Sequence, residues 1–339
     1  MHQITTIGLD LAKHVFQVHA VDASGTVVLR RSLRRGQVEG FFGRLPPCLV
    51  GMEACGTAHH WARVLSGLGH EVRLIPPAYV KAYVRRNKTD AADAEAICEA
   101  LGRRGMRFVP VRTTEEQAAA SQHRVRELLV RQRTMLTNAL RAHLSEFGLV
   151  AAKGPANLKG LMATVEDPAD ARLPALLREA LAAMARALEA IEAELQSLDA
   201  QVLAVHKASE TSRRLATIPG FGPIVASAMA ARITNPERFA SGRDFAAYLG
   251  LAPKQHASGG KVRLGGISKR GDAYLRRLLV NGAMAIITSR RGKADPWLAS
   301  LLAKKPRLVA AVALANKMAR IAFAVMVHKT EFRDRPAAA

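Results

Sequence analysis

The chain has 339 residues, 49% of them hydrophobic, so it can bury a core in each of roughly two or three domains and is not a disordered tail protein. Lys and Arg number 50 against 28 Asp and Glu, a formal net charge of +22, and the sequence pI is near 10.8. That excess calls for a polyanionic partner, and with no apolar run approaching a membrane span, DNA or RNA is expected rather than a lipid surface.

The start, MHQITTIGLDLAK, has neither a basic n-region nor a long apolar stretch, so no signal peptide is expected. Residues 4–11 (ITTIGLDL), 15–21 (VFQVHAV) and 26–33 (TVVLRRSL) predict three strands, with Asp22, Ser24 and Gly25 forming a hairpin turn. A helix follows near Gln37–Arg44, then PPCLVGME as a fourth strand ending at Glu53. Residues 57–68 are helical and closed by Gly69, EVRLIPP is a fifth strand, and a further helix opens near Thr89. Hairpins followed by βαβ crossovers predict a mixed sheet ordered 3-2-1-4-5 and covered by helices. Cys48, Cys55 and Cys98 lack the paired spacing of a disulfide framework or a zinc site, in keeping with a reduced, cytoplasmic setting.

Residues 115–147 and 177–209 predict long helices. In the second, Leu177, Leu181, Met184, Leu188, Ile191, Leu195, Leu198, Val202 and Val205 alternate steps of four and three, the spacing of a coiled-coil seam. The first carries a weaker seam through Val125, Leu129, Leu136 and Leu140, interrupted by Gln132 and His143. A helical hairpin and an intermolecular coiled coil both fit this pattern, and the stretch KGPANLKGLMATVEDPAD between them reads as a loop. From Arg213 onward short helices alternate with glycine-rich joints, and 23 basic residues face 6 acidic ones. The expected domains are therefore 1–110, a helical coiled-coil region 111–212, and a basic, mainly α-helical domain 213–339.

Four carboxylates stand at element ends of the first domain: Asp10 in strand one, Glu53 at the end of strand four, and Asp90 and Asp93 opening the helix behind a Thr89 N-cap. A spacing of three puts Asp90 and Asp93 on one helical face, and strands one and four are neighbours in the expected order. Converging carboxylates repel one another unless a hard cation neutralises them, which suits Mg²⁺ or Mn²⁺ and metal-assisted phosphodiester chemistry. His59 and His60 lie near Glu53, but adjacent residues on a helix cannot both face one site. Trp61 and Trp297 are expected as core anchors.

On the basic side, the Pro-Gly-Phe-Gly turn with Gly220 and Gly222 has the form of a helix-hairpin-helix element whose glycines let backbone N–H groups approach a phosphate. Between Lys254 and Arg277 lie seven cations (Lys254, Lys261, Arg263, Lys269, Arg270, Arg276, Arg277) and one acid, Asp272, in what reads as a flexible segment suited to the phosphate backbone. Arg85, Arg86 and Lys88 are further expected contacts. Ser258 sits in this segment ahead of Gly259 and Gly260, where a serine is ordinarily a turn residue.

The strand order and acids resemble the ribonuclease H/RuvC superfamily. More narrowly, GLDLAKHVFQVHAVD, VGMEACGTAHHWA and NKTDAADAEAICEAL resemble the DEDD transposases of bacterial insertion sequences, over almost the whole chain. The resemblance implies a RuvC-like domain whose Asp10, Glu53, Asp90 and Asp93 bind Mg²⁺ or Mn²⁺. It also implies that Ser258 is the nucleophile forming a covalent link to DNA, assisted by those acids if the two domains meet. A structured non-coding RNA from the element as guide, and a homodimer or homotetramer, are implied too. A RuvC-type junction endonuclease without covalent intermediate would need the acids but not Ser258; a nucleic-acid-binding scaffold would need neither.

Overall fold

The computed structural model describes residues 3–83, 89–152, 154–259 and 261–333. It contains two compact units, Met1–Glu115 and Glu116–Ala339. The first is built on a five-stranded mixed sheet of β1 (Thr6–Asp10), β2 (Val15–Val21), β3 (Val27–Arg34), β4 (Leu49–Glu53) and β5 (Glu71–Ile75), in the order β3-β2-β1-β4-β5. β1 runs antiparallel to β2 and parallel to β4, so the expected order stands. The turn after β2 is held by the Asp22 carboxylate, which accepts from the Ser24 and Thr26 backbone N–H groups at 2.9 and 3.0 Å.

Alternation along β1 sorts its side chains. Ile7 and Leu9 point into a core shared with Phe16, Val18, Phe42 and Trp61, beneath helices α1 (Val38–Phe42) and α2 (Ala58–Gly67). Gly8 and Asp10 take the opposite face, against the helix Asp90–Leu101. A short helix, α3 (Pro77–Val80), precedes that one, which is therefore α4. A Cβ at Gly8 would fall 2.1 Å from the Ala94 carbonyl oxygen and 2.6 Å from the Cys98 nitrogen, and one at Gly51 would lie 2.5 Å from Leu101 Cδ1. These two glycines let α4 lie directly on β1 and β4.

In the second unit, α5 (Thr114–Ser145) and α7 (Ala175–Ala208) are long helices joined by α6 (Pro155–Glu166). The stretch read as a loop thus contains a helix. Leu158, Leu161 and Val165 recur at helical spacing and pack with Leu140, Leu144, Leu181 and Leu188. Arg178 of α7 closes the helix by donating to the Thr164 and Val165 carbonyls at 2.8 and 3.1 Å. α5 and α7 meet at one end through Arg126–Asp199 (2.5 Å) and Gln122–Gln201 (3.2 Å) and at the other through Leu140 and Leu144, which share a core with Leu181 and Leu188, an antiparallel helical hairpin within the chain. On α7 one line of the seam, Leu181, Leu188, Leu195 and Val202 at steps of seven, is buried, while Leu177, Met184, Ile191 and Leu198 remain partly exposed and Val205 exposed.

A larger core gathers α8 (Glu210–Ala216), α9 (Pro223–Arg232), α10 (Gly242–Tyr248), α11 (Ala273–Thr288), α13 (Pro296–Lys304) and α14 (Arg307–His328), with the short α12 (Arg290–Ala294) linking α11 to α13. α11 is longer than the short helices expected here, while α14 takes up the apolar stretch VAAVALANKMARIAFAVMV as a packing helix. The segment read as flexible forms an antiparallel ribbon, β6 (Pro253–Ser258) and β7 (Lys261–Ile267). Asn316 of α14 donates to the Leu251 carbonyl at 3.2 Å, just ahead of that ribbon. By length and composition α14 would cross a membrane, yet Leu314, Met318, Ala322, Val325 and Met326 are buried in the protein core.

Gly8→Ala is expected to drive a methyl group into the α4 backbone, and overpacking of this kind costs about 1–3 kcal/mol. The thermal melting temperature should fall by several degrees; an unchanged melt would mean that α4 can retreat from the sheet freely.

Candidate metal centre and cationic ribbon

Asp10 ends β1, half-buried; Asp90 is the first residue of α4, exposed, and Asp93 lies half-buried in the same first turn. Thr89 caps the helix, its side chain accepting from the Ala92 N–H at 3.2 Å. The carboxylates of Asp10, Asp90 and Asp93 each bring an oxygen within 4.8 Å of the others. Glu53, at the end of neighbouring β4, lies outside this close triad, but its charge is felt at Asp10. Burial, and then the negative charges of Asp93, Asp90 and Glu53, push Asp10 from 3.8 up to about 6, against a lowering hydrogen bond from the Leu11 backbone. A set of hard oxygen donors under mutual repulsion fits a divalent cation. His59 and His60 stay apart from it: His59 Nδ1 accepts from the Arg112 backbone N–H at 3.2 Å, and His60 packs edge-on to Trp61.

Ser258 stands exposed at the end of β6 with Lys261 directly opposite on β7. Gly259, the residue after Ser258, has the positive φ (54°) that tight hairpin connections demand. His256 and its partner Arg263 share the Ser258–Lys261 face by strand alternation. His256 was not singled out from sequence, although its i−2 spacing from Ser258 becomes meaningful once the segment is a strand.

The remaining expected contacts divide by what they touch. Lys254, Lys261, Arg263, Lys269 and Arg270 are exposed. Arg276 donates from Nη1 to the Leu249 and Arg270 carbonyls, both at 3.0 Å, at the foot of the ribbon. Arg277 pairs with Glu127 at 3.0 Å. Gly222 opens α9, whereas Gly220, at φ 80°, packs so tightly that a Cβ would meet Gly282 O at 2.9 Å. Arg85, Arg86 and Lys88 lie outside the described residues. Trp61 is the expected core anchor, 5.1 Å from the Phe16 ring. Trp297 is not: it is 41% exposed, with the Lys317 ammonium 4.4 Å from its ring.

Sequence reasoning also passed over His123 on α5, which is 1% exposed. Its two ring nitrogens bond the Tyr274 hydroxyl (3.2 Å) and Ser227 Oγ (2.9 Å). Burial and the charges of Arg232 and Arg126 push it down to about 4, so it stays neutral. Beside it Arg232 pairs at 2.7 Å with Asp272, which caps α11. No local pattern marks a histidine whose partners lie 104 and 151 residues away.

The transposase IS116/IS110/IS902 family model matches residues 212–297, and a DEDD-type IS110 transposase model matches residues 7–148. The chain is 52% identical to a probable family 20 transposase of Pseudomonas aeruginosa, over 97% of this chain and 99% of that one. It is 42% identical to the transposase for insertion sequence element IS1328 of Yersinia enterocolitica, over 98% and 99%. With the transposase for element IS1111A of Coxiella burnetii the identity is 36%, over 98% and 92%.

Because Asp10 has a raised pKa, its ionised form is disfavoured in the folded protein, and metal-free stability should decline as pH rises from about 4 through 6. Asp10→Asn should therefore melt higher than the parent chain in EDTA at neutral pH and lose the upward shift that Mg²⁺ or Mn²⁺ gives the parent. An unaltered metal response in the variant would remove Asp10 from the ligand set.

Proposed function

The chain belongs to the IS116/IS110/IS902 family of insertion-sequence transposases, and from that premise we propose that it excises and inserts its element through a covalent Ser258–DNA intermediate. The reading is carried by the meeting of Asp10, Asp90 and Asp93, a donor set suited to a divalent metal in an enzyme that acts on phosphodiesters. Those three, with Glu53 beside them, would hold Mg²⁺ or Mn²⁺. Bound metal would supply Lewis-acid polarisation of a phosphoryl oxygen.

The chain's own residues account for the rest. Ser258 Oγ gives up its proton and attacks phosphorus; the P–O bond to the deoxyribose breaks, and the departing oxygen takes a proton. The phosphodiester is conserved as a serine ester, so a hydroxyl of another strand can attack it, release Ser258 and restore a DNA backbone without an external energy source. Lys261 and Arg263, on the face of Ser258, would steady the charge that builds on the phosphoryl oxygens. His256 on the same face is a candidate to take the serine proton, directly or through a water.

The partly exposed residues along the second line of the α7 seam, with the exposed Val125, Leu128 and Met135 of α5, offer an apolar surface for self-association. A dimer or tetramer would bring together the several active sites that strand exchange requires. Guidance by a structured non-coding RNA rests on the family resemblance, with the exposed cations as its physical basis. The competing reading, hydrolysis by the acid site alone, is favoured by that site's lying wholly within the first unit.

One experiment separates the two. Incubated with Mg²⁺, the RNA flanking the element and labelled junction DNA, the protein should yield a labelled protein–DNA adduct on a denaturing gel. The adduct should vanish in Ser258→Ala and in Asp10→Asn. Cleaved DNA without an adduct, produced equally by Ser258→Ala, would replace the covalent mechanism with hydrolysis.

A further inference from the structure

The first unit has a cationic feature of its own, away from the acids. α4 carries Asp90 at its start and runs to Leu101, a span of about 16 Å at a rise of about 1.5 Å per residue. Past its far end, a cavity of about 280 Å³ is lined by Tyr79, Tyr83, Arg103, Arg104, Met106 and Arg107 among others, with no acidic side chain among the described residues of its lining.

The walls differ in character. Tyr83 and Met106 pack on the small core of Ile75, Val80, Ile97 and Leu101, which fixes the floor. Arg103 is held by Glu99 at 2.5 Å and lies over the Tyr83 ring at 5.5 Å, a braced planar pair. Tyr79, 42% exposed, presents its ring at the rim, and Arg104 is exposed beside it. Tyr79 and the exposed Arg104, beside the braced Tyr83–Arg103 pair, give both surfaces that an unpaired nucleotide needs: a π-face for the base and a cation for the phosphate. A base stacked inside a duplex has both faces covered by its neighbours and cannot stack on these rings without leaving its helix.

We propose that the Tyr79–Tyr83–Arg104 cavity captures an unpaired base of a single-stranded nucleic acid, as a binding site separate from the acid centre. The site takes no part in bond breaking. It holds single-stranded DNA or RNA by stacking and backbone charge, without reading its sequence.

The test uses the full-length protein in EDTA, so that neither metal nor turnover contributes, and fluorescence anisotropy of labelled oligo-dT, oligo-rU and a DNA duplex of equal length. Tyr79→Ala should weaken single-strand binding about ten-fold or more, leave duplex binding unchanged, and leave the thermal melt unchanged because the side chain is a rim residue. Tyr79→Phe, which keeps the ring, should bind as the parent does. Arg104→Gln should lower the salt slope by about one contact. Loss with oligo-dT, oligo-rU or both supports the site and identifies the sugar it accepts. Full single-strand affinity in Tyr79→Ala, or a loss shared by the duplex, overturns it. If Tyr79→Ala melts early, photocrosslinking of the parent chain with 5-iodouracil oligonucleotides decides: an adduct on the peptide bearing Tyr79 and Tyr83 supports the site, and its absence overturns it. Because no step depends on Ser258 or Asp10, failure here leaves the covalent mechanism standing, and failure of that mechanism leaves this site standing.

Discussion

The close seating of α4 on the sheet is the constraint from which the acid centre follows. Side chains on β1 and β4 would hold a helix at ordinary packing distance, and the first turn of α4 would then stand away from the end of β1. Gly8 and Gly51 remove that spacer, so the Ala94 and Cys98 backbone and the Leu101 side chain lie where a Cβ would have been. The helix N-terminus is thereby drawn over the carboxyl end of β1. The arrangement is electrostatically costly, as the raised Asp10 pKa records. Tight, apolar packing along the rest of α4, through Ala94, Ala96, Ile97, Cys98 and Ala100, opposes the repulsion at its first turn.

Much of this unit was legible in the sequence because its signals are local. Asp22, Ser24 and Gly25 announce a turn, alternation marks the strands, and Thr89 announces a helix that starts one residue later. Sheet order then follows from connection rules, and with it the proximity of Asp10 to α4. The looser placement of Glu53 depends on side-chain reach, to which spacing is blind. α6 was missed because Gly154-Pro155 and Asp167-Pro168 read as punctuation and outweighed the short Leu158–Leu161–Val165 pattern. The ribbon was missed because glycine and lysine have poor strand propensity, and what forms it is the pairing of β6 with β7, with Gly259 at positive φ beside Ser258. Trp297 looked like a core residue by type, whereas on α13 it lies at the surface under a lysine.

The distribution of cations shows why net charge alone is a coarse guide. Arg276 and Arg277 sit in the basic run yet spend their guanidinium groups on backbone carbonyls and on Glu127. Arg232 is committed to Asp272 and lies 4.7 Å from the Tyr274 ring. These arginines build the platform. The exposed lysines and Arg263 of the ribbon carry the outward field, on a two-stranded element with too little core to stand by itself.

That dependence sets an order of events during synthesis. The core under the ribbon is shared with α14, and Asn316 fastens the strand leading into it. Ser258 leaves the ribosome ahead of this helix, and at about 5–20 residues per second the interval is several seconds. During it, the serine-bearing segment lacks its support. A message broken before the codons of α14 would thus yield a chain with an acid centre and no seated ribbon.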